Sequence, residues 1–376
     1  ADTMKGGYDL NNQELVTALA ERSAGAIDWL ASIGAPLPEL TTLGGASNKR
    51  AHRPEGGGAV GSYLVEKLGD NLTKAGIEVR LNTKATSVLM KDGAAVGILA
   101  ESDDAKLTIN AKAVVITTGG FGANEALYTS YKPELKGFVT TNAPGATGDG
   151  IVMAKEVGAK LVDMEQIQIH PTVHQATSIM ITEGLRGDGA ILVNQGGLRF
   201  FNEMETRDKV SAAEIAQDGS CAYLLFDQAL RERVKAVESY AKNKLLLQGD
   251  TVAALAAEMK VDAAVLEKTI ADWNKAIASG KDEAFGRATG MEYAIEKGPF
   301  YAVKVAPGVH HTMGGIAIDT NAEVLSETNA AIPGLFAAGE VTGGIHGGNR
   351  LGGNAVADIV IFGRQAGQSA AAYCGK

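Results

Sequence analysis

Apolar side chains recur every three or four residues in several parts of the chain, which is the spacing of one face of a helix. In residues 11–33, Leu15 and Leu19 share such a face. Asn12 can cap the start of this helix, and Gly34 can end it. The same pattern predicts further helices at residues 61–75, 151–157, 222–237, 251–259, 263–278 and 352–370.

Short apolar or alternating runs between these segments are typical of strands. They predict strands at residues 77–81, 86–90, 95–101, 107–110, 113–117 and 332–341. The first four of these runs predict a small meander, with a tight turn at Asp92 and Gly93. The run 113–117 is apolar throughout and rich in β-branched residues, which indicates a buried parallel strand.

The pattern changes near residue 164. The longest helical segments lie between residues 165 and 309, whereas strands that end in glycines lie on either side of this region. We therefore predict an α/β protein in which residues 1–164 and 310–376 form one domain. Residues 165–309 form a second, more helical domain that is inserted into the first.

Composition narrows the function classes. The chain has 376 residues, of which 45% are hydrophobic and 21% are charged, as in soluble globular proteins. Its formal net charge of −9 argues against nucleic acid as a partner, and no apolar run approaches the roughly 20 residues that span a bilayer. Cys221 and Cys374 belong to no CxxC or CxxCH motif, so neither a metal site nor a c-type haem is predicted in this chain.

One glycine motif is misleading. Gly56, Gly58 and Gly61 fit the spacing GxGxxG and precede a predicted helix. The dinucleotide fingerprint requires a buried strand before the first glycine, but residues 49–55 are polar and contain Pro54. We therefore interpret this segment as a loop that faces a substrate or a cofactor rather than as a phosphate-binding turn.

The most informative stretch is residues 310–355. It contains two histidines, His310 and His311, then a strand that ends in Gly339 and Glu340, and then a glycine-rich loop before a helix. Glycines permit a close approach of the backbone to a ligand, and a helix N-terminus offers free N–H groups to an anion. With Arg350 in the loop, this stretch is suited to binding a carboxylate beside a large cofactor.

Four blocks now follow one another along the chain, at residues 114–120, 170–187, 199–208 and 310–355. They contain VVITTGG, then HPT with MITEGLRG, then RFFNEMETRD, and finally a stretch that ends in HGGNRLGGNA. Together they resemble the fumarate reductase/succinate dehydrogenase flavoprotein family, and in particular the soluble flavocytochrome c fumarate reductases. The resemblance implies a doubly wound FAD-binding domain with an inserted α+β capping domain.

The same resemblance implies that FAD is the cofactor. It assigns cofactor contacts to glycine-rich turns, to helix N-termini and to polar residues beside them. These residues are Thr118, Gly119, Gly120, Thr147, Gly148, Asp149, His311, Glu340, Asn349, Leu351, Gly353, Asn354 and Ala355.

The activity that the resemblance implies is reduction of fumarate to succinate. Reduced flavin would give a hydride to one alkene carbon, and Arg207 would give a proton to the other. Glu183 and Arg186 would return the proton to Arg207. Two groups of residues would hold the carboxylates of the substrate: Arg350 with His310, and His170 with Thr182 and Glu183.

The family's first unit, a strand with GxGxxG and a helix, has no counterpart in this chain. We therefore expect an incomplete FAD-binding domain, complemented by an N-terminal segment or chain, and haem only on another domain or chain. The alternatives are reduction of another unsaturated acid, such as urocanate or methacrylate, and a flavin-binding partner chain that is inactive alone. The resemblance also favours anaerobic respiration in the periplasm.

Overall fold

The computed structural model describes residues 1–103 and 105–375. A polar cap precedes some of its helices, such as the second helix, which Asn12 caps with its side chain. The helices are α1 (Asp2–Gly6), α2 (Gln13–Ser32), α3 (Val60–Lys74), α4 (Glu125–Tyr131), α5 (Asp149–Glu156), α6 (Gly184–Gly187), α7 (Arg207–Ile215), α8 (Gln228–Arg233), α9 (Ala236–Lys242), α10 (Val252–Met259), α11 (Ala263–Ser279) and α12 (Asn354–Tyr373).

The strands form five separate sheets in the described residues. They are β1 (Glu39–Thr41), β2 (Ala51–Arg53), β3 (Thr83–Lys91), β4 (Ala94–Ser102), β5 (Lys106–Asn110), β6 (Val114–Ile116), β7 (Leu161–Val162), β8 (Ile167–His174), β9 (Ile179–Met180), β10 (Ile191–Val193), β11 (Ala222–Asp227), β12 (Leu247–Gly249), β13 (Phe300–Thr312), β14 (Gly315–Ile316), β15 (Glu323–Leu325) and β16 (Ala331–Ala337).

The predicted first domain, residues 1–164 and 310–376, is an α/β structure and is called the cofactor-side region below. β6 pairs in parallel with β16, and β15 pairs antiparallel with the other edge of β16. The meander β3–β4–β5 packs against this sheet through β4, and α12 packs on β16 and on α2. The sequence therefore predicted the parallel strand correctly, whereas the predicted four-stranded meander has three strands, because residues 77–81 do not join it. Because β6 and β16 run in the same direction, their carboxyl ends bring two glycine turns to the same edge.

The inserted region is built on an antiparallel sheet in the order β10–β11–β13–β8–β9, with β12 also pairing with β13. β8 and β13 are the long strands of this sheet, and they pair with each other. Because both strands extend toward the cofactor-side region, side chains near the start of β8 and the end of β13 lie where the two regions meet.

Three apolar clusters form the core. One cluster draws its buried residues from positions 15–167 and 309–366, whereas the other two draw theirs from positions 181–305. The division of the clusters follows the predicted division of the chain, although the exact boundaries at 164 and 309 stay a prediction. No helix within the described residues is both long and apolar enough to cross a bilayer.

Two predicted elements are wrong. Residues 222–237 are not one helix, because β11 occupies the first part and α8 and α9 follow it. β11 is buried at every position, and a short buried strand has the same continuous apolar pattern as a buried helix. Residues 77–81 do not form a strand: Ile77, Val79 and Leu81 are exposed, and no described segment pairs with their backbone.

The segment with GxGxxG spacing lies outside any parallel sheet. β2 precedes it and pairs antiparallel with β1, while Gly61 is already inside α3. The structure therefore agrees with the interpretation that this is not a dinucleotide fingerprint.

Candidate active site

β8 places two polar side chains on one face because alternate residues of a strand point the same way. Gln168 and His170 are both buried, at 2% and 0% exposure. β13 pairs with β8 and brings His310 next to His170, with 5.0 Å between the ring centroids. The carboxyl end of β13 and the beginning of β8 thus form one wall of a polar site.

A chain of charged groups forms the opposite wall. Arg207, the first residue of α7, donates from Nε to Glu183 Oε2 at 2.8 Å, and its Nη2 lies 2.6 Å from the same oxygen. Glu183 Oε1 accepts the backbone N–H of Gly44 at 2.8 Å and lies 3.6 Å from Nη2 of Arg186. Glu183 therefore bridges two guanidinium groups, all three groups being nearly inaccessible to solvent.

Gln168 connects this charged chain to the glycine-rich loop. Its Oε1 accepts from Arg207 Nη1 at 3.1 Å. Its Nε2 donates to Asn349 Oδ1 at 2.6 Å and to the carbonyl of Arg350 at 2.7 Å. One amide therefore fixes the position of Arg207 relative to the loop that presents Arg350.

The site has an excess of positive charge. Burial, and next the charge of Arg207, lower the pKa of Arg350 to about 9, so this guanidinium still carries its charge at neutral pH. For Glu183, burial opposes ionisation, but Arg207 and Arg186 outweigh this effect and lower the pKa. Within the described residues Arg350 has no carboxylate at ion-pair distance, and its Nε has no hydrogen-bond partner. An anionic ligand would compensate this charge.

The two histidines between these groups are neutral. Burial, followed by the charge of Arg207, lowers the pKa of both His170 and His310 well below the usual value. His170 Nδ1 accepts the backbone N–H of Thr172 at 3.2 Å, so its proton is on Nε2. That Nε2 has no partner among the described residues and can donate to a ligand.

The cofactor side of the site is a narrow cradle between β6 and β13. Glu340 Oε1 accepts the N–H of Thr312 at 3.0 Å, and Oε2 lies 3.1 Å from His311 Nδ1. Burial lowers the pKa of His311 to about 4. Burial alone would raise the pKa of Glu340, but His311 and the Thr312 N–H lower it to about 2. The histidine is therefore neutral and donates to an ionised carboxylate.

These residues fit a large polar cofactor such as FAD. Gly148 and Gly353 are the N-caps of α5 and α12, both have positive φ, and neither helix has a side-chain cap. The first N–H groups of α5 are thus free for an anionic or carbonyl group in the described residues, whereas at α12 the N–H groups of Asn354 and Val356 already donate to the carbonyls of Leu351 and Gly353. Buried polar atoms without a partner in the described residues lie beside the cradle: His311 Nε2, His346 Nδ1 and Asn349 Nδ2.

Three other predicted residues use their side chains for contacts within the protein. Asp149 turns its carboxylate to Lys84, at 2.9 Å, near the surface. Asn354 donates to Thr3 Oγ1 at 3.0 Å, so its side chain joins α12 to α1. Thr182 accepts the N–H of Gly184 at 3.3 Å. The remaining predicted cofactor residues lie in the turn after β6, in the turn before α5 and at the start of α12: Thr118, Gly119, Gly120, Thr147, Gly148, Leu351, Gly353 and Ala355.

Sequence reasoning missed Gln168 and the backbone N–H of Gly44. Gln168 is two residues before His170 in the segment that forms β8, for which no strand was predicted, and the two-residue period of a strand could have placed it in the site. No local signal in the sequence indicates the contact of Gly44, because it joins positions 139 residues apart.

Replacing Gly120 by alanine is expected to weaken FAD binding by about tenfold or more, equivalent to about 1.4 kcal/mol. A Cβ at this position would overlap Thr312 Oγ1 and Glu340 Oε1, which shape the cradle. The measurement is a titration of the flavin-free protein with FAD. Gly69→Ala in α3 is the control, because nothing lies within 4 Å of its Cβ position. Equal affinities in the two variants would contradict the placement of the cradle.

Comparison with known proteins agrees with this geometry. Residues 1–356 match the family described as FAD binding domain. The chain is 49% identical over 371 residues to an NADH:fumarate oxidoreductase of Klebsiella pneumoniae, covering 98% of this chain and 40% of that protein. It is 46% identical over 377 residues to a fumarate reductase (cytochrome) of Shewanella frigidimarina, covering 100% of this chain and 66% of that protein.

A solved structure of a flavocytochrome c3 fumarate reductase in an open conformation matches with a TM-score of 0.79 and 46% identity, over 100% of this chain and 67% of that chain. An acrylate oxidoreductase of Vibrio harveyi and a urocanate reductase of Eggerthella lenta are each 37% identical to the chain. The chain spans 40% and 66% of the first two relatives' lengths. It belongs to the FAD binding domain family that includes the fumarate reductase flavoproteins, and FAD is its cofactor.

Proposed function

We propose that the protein reduces fumarate to succinate. The observation that carries this proposal is the convergence of Arg207, Arg186 and Arg350 around a single bridging carboxylate, Glu183. Three guanidinium groups and one carboxylate leave two positive charges, which matches a substrate with two carboxylates. The neutral histidines add hydrogen-bond donors without adding charge.

Two groups of residues bind and polarise the substrate. Arg350 and His310 hold one carboxylate, and a guanidinium does this through two parallel hydrogen bonds of fixed geometry. His170 and Thr182 hold the other, with His170 donating from Nε2. Positive charge beside the carboxylates draws electron density from the alkene and prepares it for reduction. Bound FAD, when reduced, supplies the hydride.

Arg207 then donates the proton that completes the reduction. Arginine is ordinarily too basic for this role, so the lost proton must be returned at once. Glu183 contacts Arg207 and lies beside Arg186, and these contacts provide the return path. The proton moves from Arg186 through the carboxylate of Glu183 to the guanidine of Arg207.

Another unsaturated acid is the second candidate, and the relatives named for acrylate and urocanate favour it. Both carry one carboxylate on the reacting chain, whereas fumarate carries two. Electrons reach the flavin from another domain or chain, as the word cytochrome in the name of the Shewanella relative suggests for that protein.

The test is a comparison of substrates on the FAD-loaded protein with a chemical reductant. We expect the kcat/KM for fumarate to exceed that for methacrylate and crotonate by at least about 10²-fold, because a missing carboxylate leaves a buried guanidinium unpaired. Urocanate tests the length of the site. A higher kcat/KM for any monocarboxylate would contradict the fumarate assignment, and no reduction of any of these acids would contradict the proposed activity as a whole.

A further inference from the structure

One face of α7 carries a row of buried polar groups. Arg207, Ser211 and Glu214 are four and three residues apart, which places them on the same side of a helix. They are 7%, 0% and 0% exposed. Helix geometry sets about 10 Å along the axis between the first and the last of them. The proton donor therefore stands at one end of this row and a carboxyl group at the other.

Glu214 has no role in the site described above, yet its carboxyl group is buried without a hydrogen-bond partner among the described residues. Neither of its carboxylate oxygens has a hydrogen-bond partner among the described residues, and the same holds for Ser211 Oγ. Burial raises the pKa of Glu214 well above its usual value, and the charge of Arg186 and then the nearby backbone N–H of Ala222 oppose this only in part. Glu214 therefore holds a proton at neutral pH, since an unpaired buried carboxylate would be costly.

The charged group that acts on the pKa of Glu214 belongs to the return path itself. Arg186 of α6 is fully buried, and its Nε and Nη2 have no hydrogen-bond partner in the part of the chain that the structure describes. The same guanidinium lies 3.6 Å from Glu183. Glu214 and Glu183 thus act on one arginine, the first as a protonated acid and the second as an ionised carboxylate.

The far end of the row approaches solvent. Ile215, the last residue of α7, is exposed and lines a cavity of about 530 Å³. The cavity also has polar lining residues that can hold water, namely His174, Ser220 and Lys304. Glu214 itself does not line this cavity, but it precedes Ile215 in the chain and so lies at the end of α7 that reaches the cavity.

We propose that Glu214, with Ser211, supplies protons to the arginine relay of this site, an inference that rests on the proposed reduction. After Arg207 has given its proton to the substrate carbon, Glu183 and Arg186 restore it, and Arg186 is left neutral. The two groups have no hydrogen bond to each other at rest, so the carboxyl of Glu214 first turns toward Arg186, then breaks its O–H bond and gives that proton to the guanidine. A proton from bulk solvent, carried by water in the cavity, then restores the Glu214 carboxyl, so each turnover consumes one solvent proton. Ser211 Oγ has no partner in the described residues and is therefore available to bridge the row while the proton moves.

β8, β13 and the turn at 218–220 pack against α7, and the charge of Arg186 in α6 acts on Glu214. The titratable and charged residues on them are Arg186, His170, His174, Tyr301, Lys304, His310, His311 and Asp218.

Glu214→Gln is the decisive variant, because glutamine keeps the shape and the hydrogen-bonding capacity but cannot release a proton. Infrared difference spectroscopy of the FAD-loaded protein, wild type minus variant, should show the carbonyl band of a protonated carboxylic acid that shifts in D₂O. Fumarate turnover should fall about tenfold. The loss should increase toward alkaline pH, with a larger solvent isotope effect and an unchanged KM. Glu205→Gln is the matched control, since its side chain is exposed and, among the described residues, forms an ion pair only with Lys209.

Ser211→Ala should change turnover in the same direction, and it should shift the Glu214 band. This variant gives an independent reading if Glu214→Gln folds poorly. Absence of the carbonyl band, or a pH profile of Glu214→Gln equal to that of the control in an active wild type, would overturn the inference while leaving the proposed reduction intact. A wild type that reduces none of the acids would overturn the proposed reduction, and the infrared band would still report whether Glu214 holds its proton.

Discussion

Replacing Arg207 by alanine is expected to lower fumarate turnover by about 10³-fold, equivalent to about 4 kcal/mol in activation free energy, as for loss of a general acid. The guanidinium of Arg207 is fixed on two sides, by Glu183 at 2.6 Å and by Gln168 at 3.1 Å. Stopped-flow or steady-state oxidation of a reduced dye by the FAD-loaded variant measures the effect.

The control separates chemistry from folding. Lys209→Ala changes a cation two residues further along α7, where the side chain is half exposed and paired with Glu205. This variant should keep its turnover within about twofold. Arg207→Ala should still bind FAD, and it should bind fumarate with only a moderate loss. Turnover above a tenth of wild type in Arg207→Ala would show that another group donates the proton.

The pattern of apolar and capping residues along the sequence was sufficient to predict much of the secondary structure of the cofactor-side region. β6 and β16 are continuous apolar runs that end in glycine, and the structure pairs them in parallel. The side-chain cap of Asn12 and the positive φ of Gly34 delimit α2 as the sequence predicted. In these elements the propensity, the period and the terminating residue all agree, so no tertiary information was needed.

Elements whose secondary structure depends on the segments that pair with them could not be predicted from the sequence pattern in the same way. β11 is a strand because β10 and β13 pair with its two edges, and both of its faces are buried. Residues 77–81 alternate as strands do, but a strand requires a neighbour for its backbone groups. Pattern describes which side chains prefer burial, and it does not say which backbone is available to pair.

Prediction of the site's side chains from the sequence has the same limit. The resemblance named Arg207, Glu183 and Arg186 as one chain, and the structure brings the three together within ion-pair distance. Their roles stay predictions. Gln168 escaped notice because an isolated glutamine in a strand has no chemical signature; only its contacts with Arg207 and the loop reveal its function as a positioning residue.

The replacement of Arg287, which contacts Arg186 of the proton relay, is expected to have the largest effect on stability. Its guanidinium donates to the carbonyls of Arg186, Ala190 and Gly290, lies 3.3 Å from Glu203, and covers a tryptophan ring at 4.6 Å. Arg287→Met leaves these carbonyls and part of a buried carboxylate without a donor. The expected loss is about 3–5 kcal/mol in the free energy of unfolding.

Arg231→Met is the matched control for this loss. Arg231 also pairs with a carboxylate, that of Glu238 at 2.7 Å, and covers the Tyr301 ring at 5.1 Å, but both charged partners are in contact with solvent. Its replacement should cost less than about 1 kcal/mol, because exposed ion pairs contribute little. Urea midpoints of the FAD-free proteins compare the two, and equal shifts would contradict the argument from burial. Because Arg287 holds the backbone of Arg186, its loss should also slow fumarate reduction at temperatures where the variant is still folded.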